Sequence, residues 1–256
     1  MTADQRIPIP RFVDALRREG ELLALAAERA ALDDEVATCP GWRLRDLLRH
    51  VGGVHRWATH YVAHGRDTRL PKEEDQPLRR TWPADDGDAG ALVRWFRDGV
   101  DTLTDTLAAA DPHLDCWHFL PAPSGTAFWA RRQYHETTVH RVDVELVSGA
   151  VTTIDPDLAV DGIDEVLHGM LPHRNRPRAD PPLTLALLAT DTGTGWHVTI
   201  GEDSLTTKAA TADASCTVRG TADDLYLLVW NRPTAHPLAV EGDEQVLDLW
   251  RAKATI

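Results

Sequence analysis

Glu136 and His140 are the residues whose type and spacing most directly suggest chemistry. They lie in a stretch where Trp129, Gln133, Glu136, His140, Asp143 and Val147 recur at three- or four-residue steps. On a helix these positions share one face. Glu136 and His140 stand about 40° apart around the axis and one turn apart along it, a spacing at which two side chains reach one ion. The same spacing also suits a solvated ion pair or a satisfied core histidine. His135 is five residues before His140 and points about 140° away from it, so HETTVH is not the HExxH motif of zinc proteases.

A catalytic divalent site needs a third ligand from another element and an open position. A second helical stretch offers histidines at 50, 55, 60 and 64. His50 and His55 sit on opposite edges of its apolar stripe, and periodicity does not separate them; His60 and His64 fall toward the solvated end. Asp46, one turn before His50, could accept the imidazole N–H and fix its tautomer. The favoured reading makes it a helix-start carboxylate placed by the dipole.

Four amphipathic helices must position these residues. The first carries Val13, Leu16, Gly20, Leu23 and Ala27 inward. The second follows Cys39-Pro40-Gly41-Trp42, buries Leu44, Leu47, Val51, Val54, Ala58 and Tyr61, and stops near Gly65. A long polar connection with Pro71, Pro77 and Pro83 leads through Asp85-Asp86-Gly87-Asp88, the expected N-cap, into a third helix bearing Leu92, Trp95, Phe96, Gly99, Leu103 and Leu107. The fourth starts after Pro121-Ala122-Pro123-Ser124-Gly125 with Thr126 as its expected cap, and ends at Ser148-Gly149. Four such helices predict a bundle.

Beyond Gly149 the texture changes. A short helix over 158–171 and a proline- and arginine-rich linker over 172–182 precede strands at 183–187 and 196–200, joined by the turn Thr192-Gly193-Thr194-Gly195. A strand at 216–220, a helix capped by Thr221, a short strand at 238–241 and a helix at 244–253 complete an α+β pattern. The expected domains are 1–150, the bundle, and 151–256, the smaller α+β domain.

The 256 residues include 27 Lys+Arg against 40 Asp+Glu, a formal charge of −13, which argues against nucleic acid or an anionic membrane as the main partner. No stretch has the roughly 18 apolar residues of a membrane span, and MTADQRIPIPRF has neither the basic segment nor the apolar run of a signal peptide, so the cytoplasm is the expected location. Cys39, Cys116 and Cys216 form no CxxC pair; packing residues or inert thiols are expected, because none falls on the metal-bearing face. Trp57 and Trp129 are expected to line the bundle interior.

Cys39-Pro40-Gly41-Trp42, the run Leu44 to Trp57, and Phe128-Trp129-Ala130-Arg131-Arg132 leading into His135 to Glu145 closely resemble the mycothiol-dependent maleylpyruvate isomerase family over nearly the whole chain. The resemblance implies a DinB-like metal-binding four-helix bundle followed by a smaller C-terminal α/β domain. It implies His50, rather than His55, with Glu136 and His140 as a zinc site. Leu225-Tyr226-Leu227-Leu228-Val229-Trp230-Asn231-Arg232-Pro233 and Val240-Glu241-Gly242-Asp243 resemble the family's second domain, which makes Arg232 a candidate catalytic clamp for substrate carboxylates. A surface arginine after a helix is the competing reading. Arg43 stands where many relatives have Thr or Ser and removes a hydroxyl N-cap from the second helix.

Zinc, or another divalent metal, and mycothiol are the implied cofactors, and the implied partners are a low-molecular-weight thiol and a small electrophile, with a monomer as the working expectation. A zinc-held thiolate would add to the cis double bond of maleylpyruvate or a related acid and release the trans isomer after rotation. Conjugation of mycothiol to electrophiles by an S-transferase, and a metal-binding module without turnover, are the alternatives. A fourth protein ligand from Asp46, Gln133 or Asp143 would favour the module.

Overall fold

The computed structural model describes residues 7–84, 89–174, 176–210 and 214–254. The expected N-cap run Asp85 to Asp88 lies outside them. The chain divides into two compact units, Met1–Thr152 and Thr153–Ile256.

The first unit is helical: α1 (Ile9–Ala27), α2 (Leu44–His64), α3 (Lys72–Arg79), α4 (Ala89–Ala109) and α5 (Gly125–Ser148). The four long helices form the bundle, with α1 packed on α4 and α5, and α2 on the same pair. The predicted inward residues of α1 and α2 are all buried. Leu23, Leu44, Leu47, Val51, Phe96 and Val144 meet in one cluster, each contributing about 1.5–3 kcal/mol by burial. α5 is buried nearly all round, including His135, Arg141 and Asp143. A helix enclosed on all sides needs internal partners for its polar groups. Arg141 donates to Glu19 at 2.7 Å, to Glu145 at 2.6 Å and to the Thr152 carbonyl at 2.6 Å.

Helix starts follow local chemistry, with two differences from the sequence expectation. The cap of α5 is Ser124, whose Oγ accepts from the Ala127 N–H at 3.1 Å, while Thr126 lies inside the first turn and donates to the Asp111 carbonyl. The polar connection after α2 contains a helix, α3. Pro71 stands at its N-cap, and Glu73, Glu74 and Asp75 fill its first turn, where the dipole favours them. None of its residues is buried, so no apolar period announced it. Arg43 makes no side-chain cap for α2, as expected.

Close packing ties α3 down. The Leu70 N–H donates to Tyr61 Oη at 2.7 Å, and the Trp117 N–H donates to the Arg66 carbonyl at 2.7 Å. A Cβ on Gly53 would meet the Arg79 carbonyl oxygen at 2.7 Å, so only glycine lets the end of α3 lie this close to α2.

The second unit starts with α6 (Pro156–Glu165), a π-helical turn (Val166–Met170) and α7 (Leu171–Arg174). Strands β1 (Leu183–Ala189), β2 (Gly195–Ile200), β3 (Leu205–Ala209), β4 (Cys216–Gly220) and β5 (Ala239–Gly242) form one mixed sheet in the order β3-β2-β1-β4-β5. Its β1–β4 pair is parallel and the others antiparallel. Between β4 and β5 lies α8 (Ala222–Val229), capped by Thr221 as predicted; α9 (Gln245–Lys253) closes the unit. β3 was not apparent in the sequence: it is an edge strand whose middle residues, Thr206 to Lys208, carry no apolar alternation. The fold class is as expected, a helical first part and a smaller mixed-sheet second part.

Candidate metal centre and its cavity

α2 and α5 bring His50, Glu136 and His140 together. His50 Nε2 lies 3.1 Å from Glu136 Oε1, and His140 Nε2 lies 3.6 Å from the same oxygen. One ligand atom from each of the three falls within 4.8 Å of the other two. The set is two imidazole nitrogens and a carboxylate oxygen, a combination suited to zinc or a similar divalent ion. His50 and Glu136 are only partly buried, their side chains 30% and 19% exposed, so the group has an open side.

Each member is held by a neighbour. Arg132, one turn earlier on α5, donates to Glu136 Oε2 at 3.1 Å and leaves Oε1 toward the histidines. His140 Nδ1 lies 2.8 Å from Asp143 Oδ2, which turns Nε2 inward. Trp42 packs edge-on against His50, ring centroids 4.9 Å apart. Without an ion, burial acts to raise the Glu136 pKa, but hydrogen bonds from His140 and His50 and the charge of Arg132 outweigh it and hold the carboxyl well below the usual range. For His140 burial acts to lower the pKa, and Asp143, Cys39 and Glu136 overcome it and push it well up.

His50 and His55, which periodicity left equivalent, have different surroundings. They approach α5 at adjacent residues, His50 at Glu136 and His55 at Thr137, whose Oγ1 is 2.8 Å from His55 Nε2. His55 is fully buried and packs against Phe96, and burial lowers its pKa to about 3. It is a neutral core histidine. The Asp46 carboxylate accepts from the Arg43 N–H at 3.0 Å, closing the start of α2 rather than backing His50. Gln133 is buried one turn before Glu136 with Oε1 lacking a hydrogen-bond partner among the described residues.

Sequence reasoning missed Cys39. Its thiol lies 3.4 Å from Asp143 Oδ2, and Cys39, His140 and Asp143 form a second group of ligand-type atoms sharing His140 with the first. The two residues are 104 apart in the chain, so no local pattern shows the contact. Trp129 is fully buried, and Trp57 meets it edge-on at 5.0 Å, as expected of residues lining the interior.

Beside His50 lies a cavity of about 490 Å³ walled by α2 and α3, with Trp42, Arg49, Arg69, Lys72, Arg79 and Arg80 on its lining. Arg232 belongs to the second unit. Just past α8, its N–H donates to the Leu227 carbonyl and its guanidinium to the Trp230 carbonyl at 2.7 Å.

Residues 13–145 match the mycothiol maleylpyruvate isomerase N-terminal domain, and residues 157–249 match the C-terminal domain of the same family. The chain belongs to this family. Its fold is similar to the crystal structure of a mycothiol-dependent maleylpyruvate isomerase, with a TM-score of 0.62 at 15% identity over 94% of this chain and 96% of that one. A histidine-to-alanine variant of that enzyme gives a TM-score of 0.64 at 14% identity, with the same coverage. No curated protein matches the chain.

Proposed function

We propose that the chain is a metal- and thiol-dependent enzyme that acts on a small electrophile, with cis–trans isomerisation of maleylpyruvate or a related acid as its reaction. The observation that carries this reading is the convergence of His50 Nε2, Glu136 Oε1 and His140 Nε2 on a partly open edge next to the cavity. These residues would hold a divalent ion, taken as zinc. The ion would supply the charge that keeps a bound thiol, mycothiol by family, in its nucleophilic thiolate form at neutral pH.

The chain's own residues orient and exclude. Asp143 and Arg132 fix His140 and Glu136 from behind, and Trp42 fixes the plane of His50. Of the three candidate fourth ligands, Asp46 and Asp143 are each turned to another partner, Arg43 and the far nitrogen of His140, which supports an open position over a closed structural site. Gln133, whose Oε1 has no hydrogen-bond partner among the described residues, is the one left that would close it. Arg232 is the proposed clamp of the second unit for a substrate carboxylate. S-transfer from the same thiol to other electrophiles is the second reading, since the same ligand set would serve it.

Metal analysis with thiol titration tests the proposal. The intact chain should carry near-stoichiometric metal and release protons on adding mycothiol but not glutathione. His50→Ala, Glu136→Ala and His140→Ala should each lose the metal with helicity retained, and His55→Ala should keep it; full metal in any of the first three removes that residue from the set. Arg232→Ala should raise KM or lower kcat on an acidic substrate without changing metal content, and unchanged kinetics would remove the clamp.

A further inference from the structure

We infer that the α2–α3 cavity binds the carboxylate of the electrophile through Arg69, Lys72, Arg79 and Arg80, so that the first unit carries its own anion site. This rests on the function proposed above and names the side chains that would select an acidic substrate at the same site.

Charge is the first observation. The chain carries −13, yet this cavity is lined by five cations, Arg49 and the four above, against two carboxylates, Asp46 and Asp75. A local excess of three positive charges in an acidic protein focuses anions into the cleft. Asp46 accepts from the Arg43 N–H at 3.0 Å and lies 4.0 Å from Arg49. Asp75 lies 4.0 Å from Arg79 through Oδ2, and its buried Oδ1 has no hydrogen-bond partner among the described residues, so Arg69, Lys72 and Arg80 are the cations left to an incoming anion. Among the described residues, no carboxylate lies within 4.0 Å of Arg69, Lys72 or Arg80.

Preorganisation is the second. Arg79 lies over Trp57 at 5.3 Å, Arg69 over Trp117 at 6.0 Å, and Arg49 over Trp82 at 5.4 Å, so aromatic faces hold the guanidinium groups in place. Less side-chain freedom is then lost when an anion binds. The Tyr61–Leu70 hydrogen bond and the bare Cα of Gly53 under the Arg79 carbonyl hold α3 over α2.

Position is the third. His50 is on the cavity wall, so an anion on these cations lies beside the candidate metal ligands. About 490 Å³ accommodates a small acid with room for a second reactant. An electrophile with a carboxylate would be selected over a neutral one, which separates an isomerase of unsaturated acids from a general conjugating enzyme.

The test is calorimetric titration of the full chain with maleate and, separately, inorganic phosphate, with no thiol present. Arg69, Lys72 and Arg80 are exposed, so the double variant Arg69→Gln/Arg80→Gln and the single Lys72→Gln should fold normally, as a thermal midpoint will show. Maleate should bind the wild type, and the double variant should bind it at least ten-fold more weakly with metal content unchanged. Arg29→Gln, which removes one exposed charge at the end of α1, should bind as the wild type does. Maleate binding should also survive metal removal by a chelator, so loss of the metal reading and loss of the anion site are read separately. Equal binding by wild type and double variant, no binding by the wild type, or binding that disappears with the metal would each overturn the inference. Phosphate binding as tight as maleate, with the same dependence on the cations, would replace the carboxylate with a phosphoryl group.

Discussion

Asparagine at position 143 tests whether a buried negative charge behind the His140 ring strengthens it as a metal ligand. Asp143 is fully buried, with Oδ2 at 2.8 Å from His140 Nδ1 and 3.4 Å from the Cys39 thiol. Asp143→Asn keeps the volume, so it opens no cavity, and its amide oxygen can still accept from the imidazole N–H. What it removes is a negative charge hydrogen-bonded to the ring, which raises the basicity of the opposite nitrogen. Loss of such a partner typically lowers metal affinity ten- to a hundred-fold, about 1.4–2.7 kcal/mol. Competition against a chelator of known affinity measures this directly, and the thermal midpoint of the metal-free protein shows whether the fold is intact. Cys39→Ser keeps a donor to Asp143 and should change affinity by much less. Wild-type affinity in Asp143→Asn, in a folded protein, would refute the argument that the Asp143 charge strengthens His140 as a ligand.

Two further outcomes follow from the packing around the site. His55 has its pKa lowered from 6.5 to about 3 by burial. Between those values the unfolded chain binds the proton and the folded chain does not, so this contribution to stability is complete above pH 6.5 and is lost as pH falls toward 3. At pH 5 the loss is about 2 kcal/mol, read as the difference in denaturant stability between pH 7 and pH 5 that wild type shows and His55→Gln does not; equal pH dependence in the two would rule it out. Gly53→Ala places a Cβ 2.7 Å from the Arg79 carbonyl oxygen, so α3 must shift. Maleate affinity should fall several-fold with metal content unchanged, and unaltered affinity would show that α3 does not need its close seat on α2.

Much of the helical framework is legible in the sequence because it is governed by local rules. The inward residues of α1 and α2 recur at helical period, and Thr221 caps α8 where a hydroxyl precedes an apolar run. α3 and β3 were missed for a shared reason. A helix with no buried residue and an edge strand of mainly exposed residues carry no apolar period, and their stability comes from end charges and backbone pairing. The Ser124 cap was misplaced by two residues because Thr126 is also a hydroxyl, and only the hydrogen bond to Ala127 distinguishes them.

In the candidate site, the four-residue step from Glu136 to His140 is a property of one helix, and the sequence determined that they share a face. The resemblance chose His50 over His55, but periodicity could not, because both sit at the edges of one stripe. The rotation of α2 against α5 decided that His50 meets Glu136 while His55 is enclosed against Thr137. Tertiary packing alone also joined Cys39 to Asp143 and laid the cations of α3 beside His50. Periodicity describes one element about its own axis. Which side chains meet across two elements depends on their relative rotation and approach, set by distant contacts such as Trp95 against Gly52 and Arg79 against Gly53.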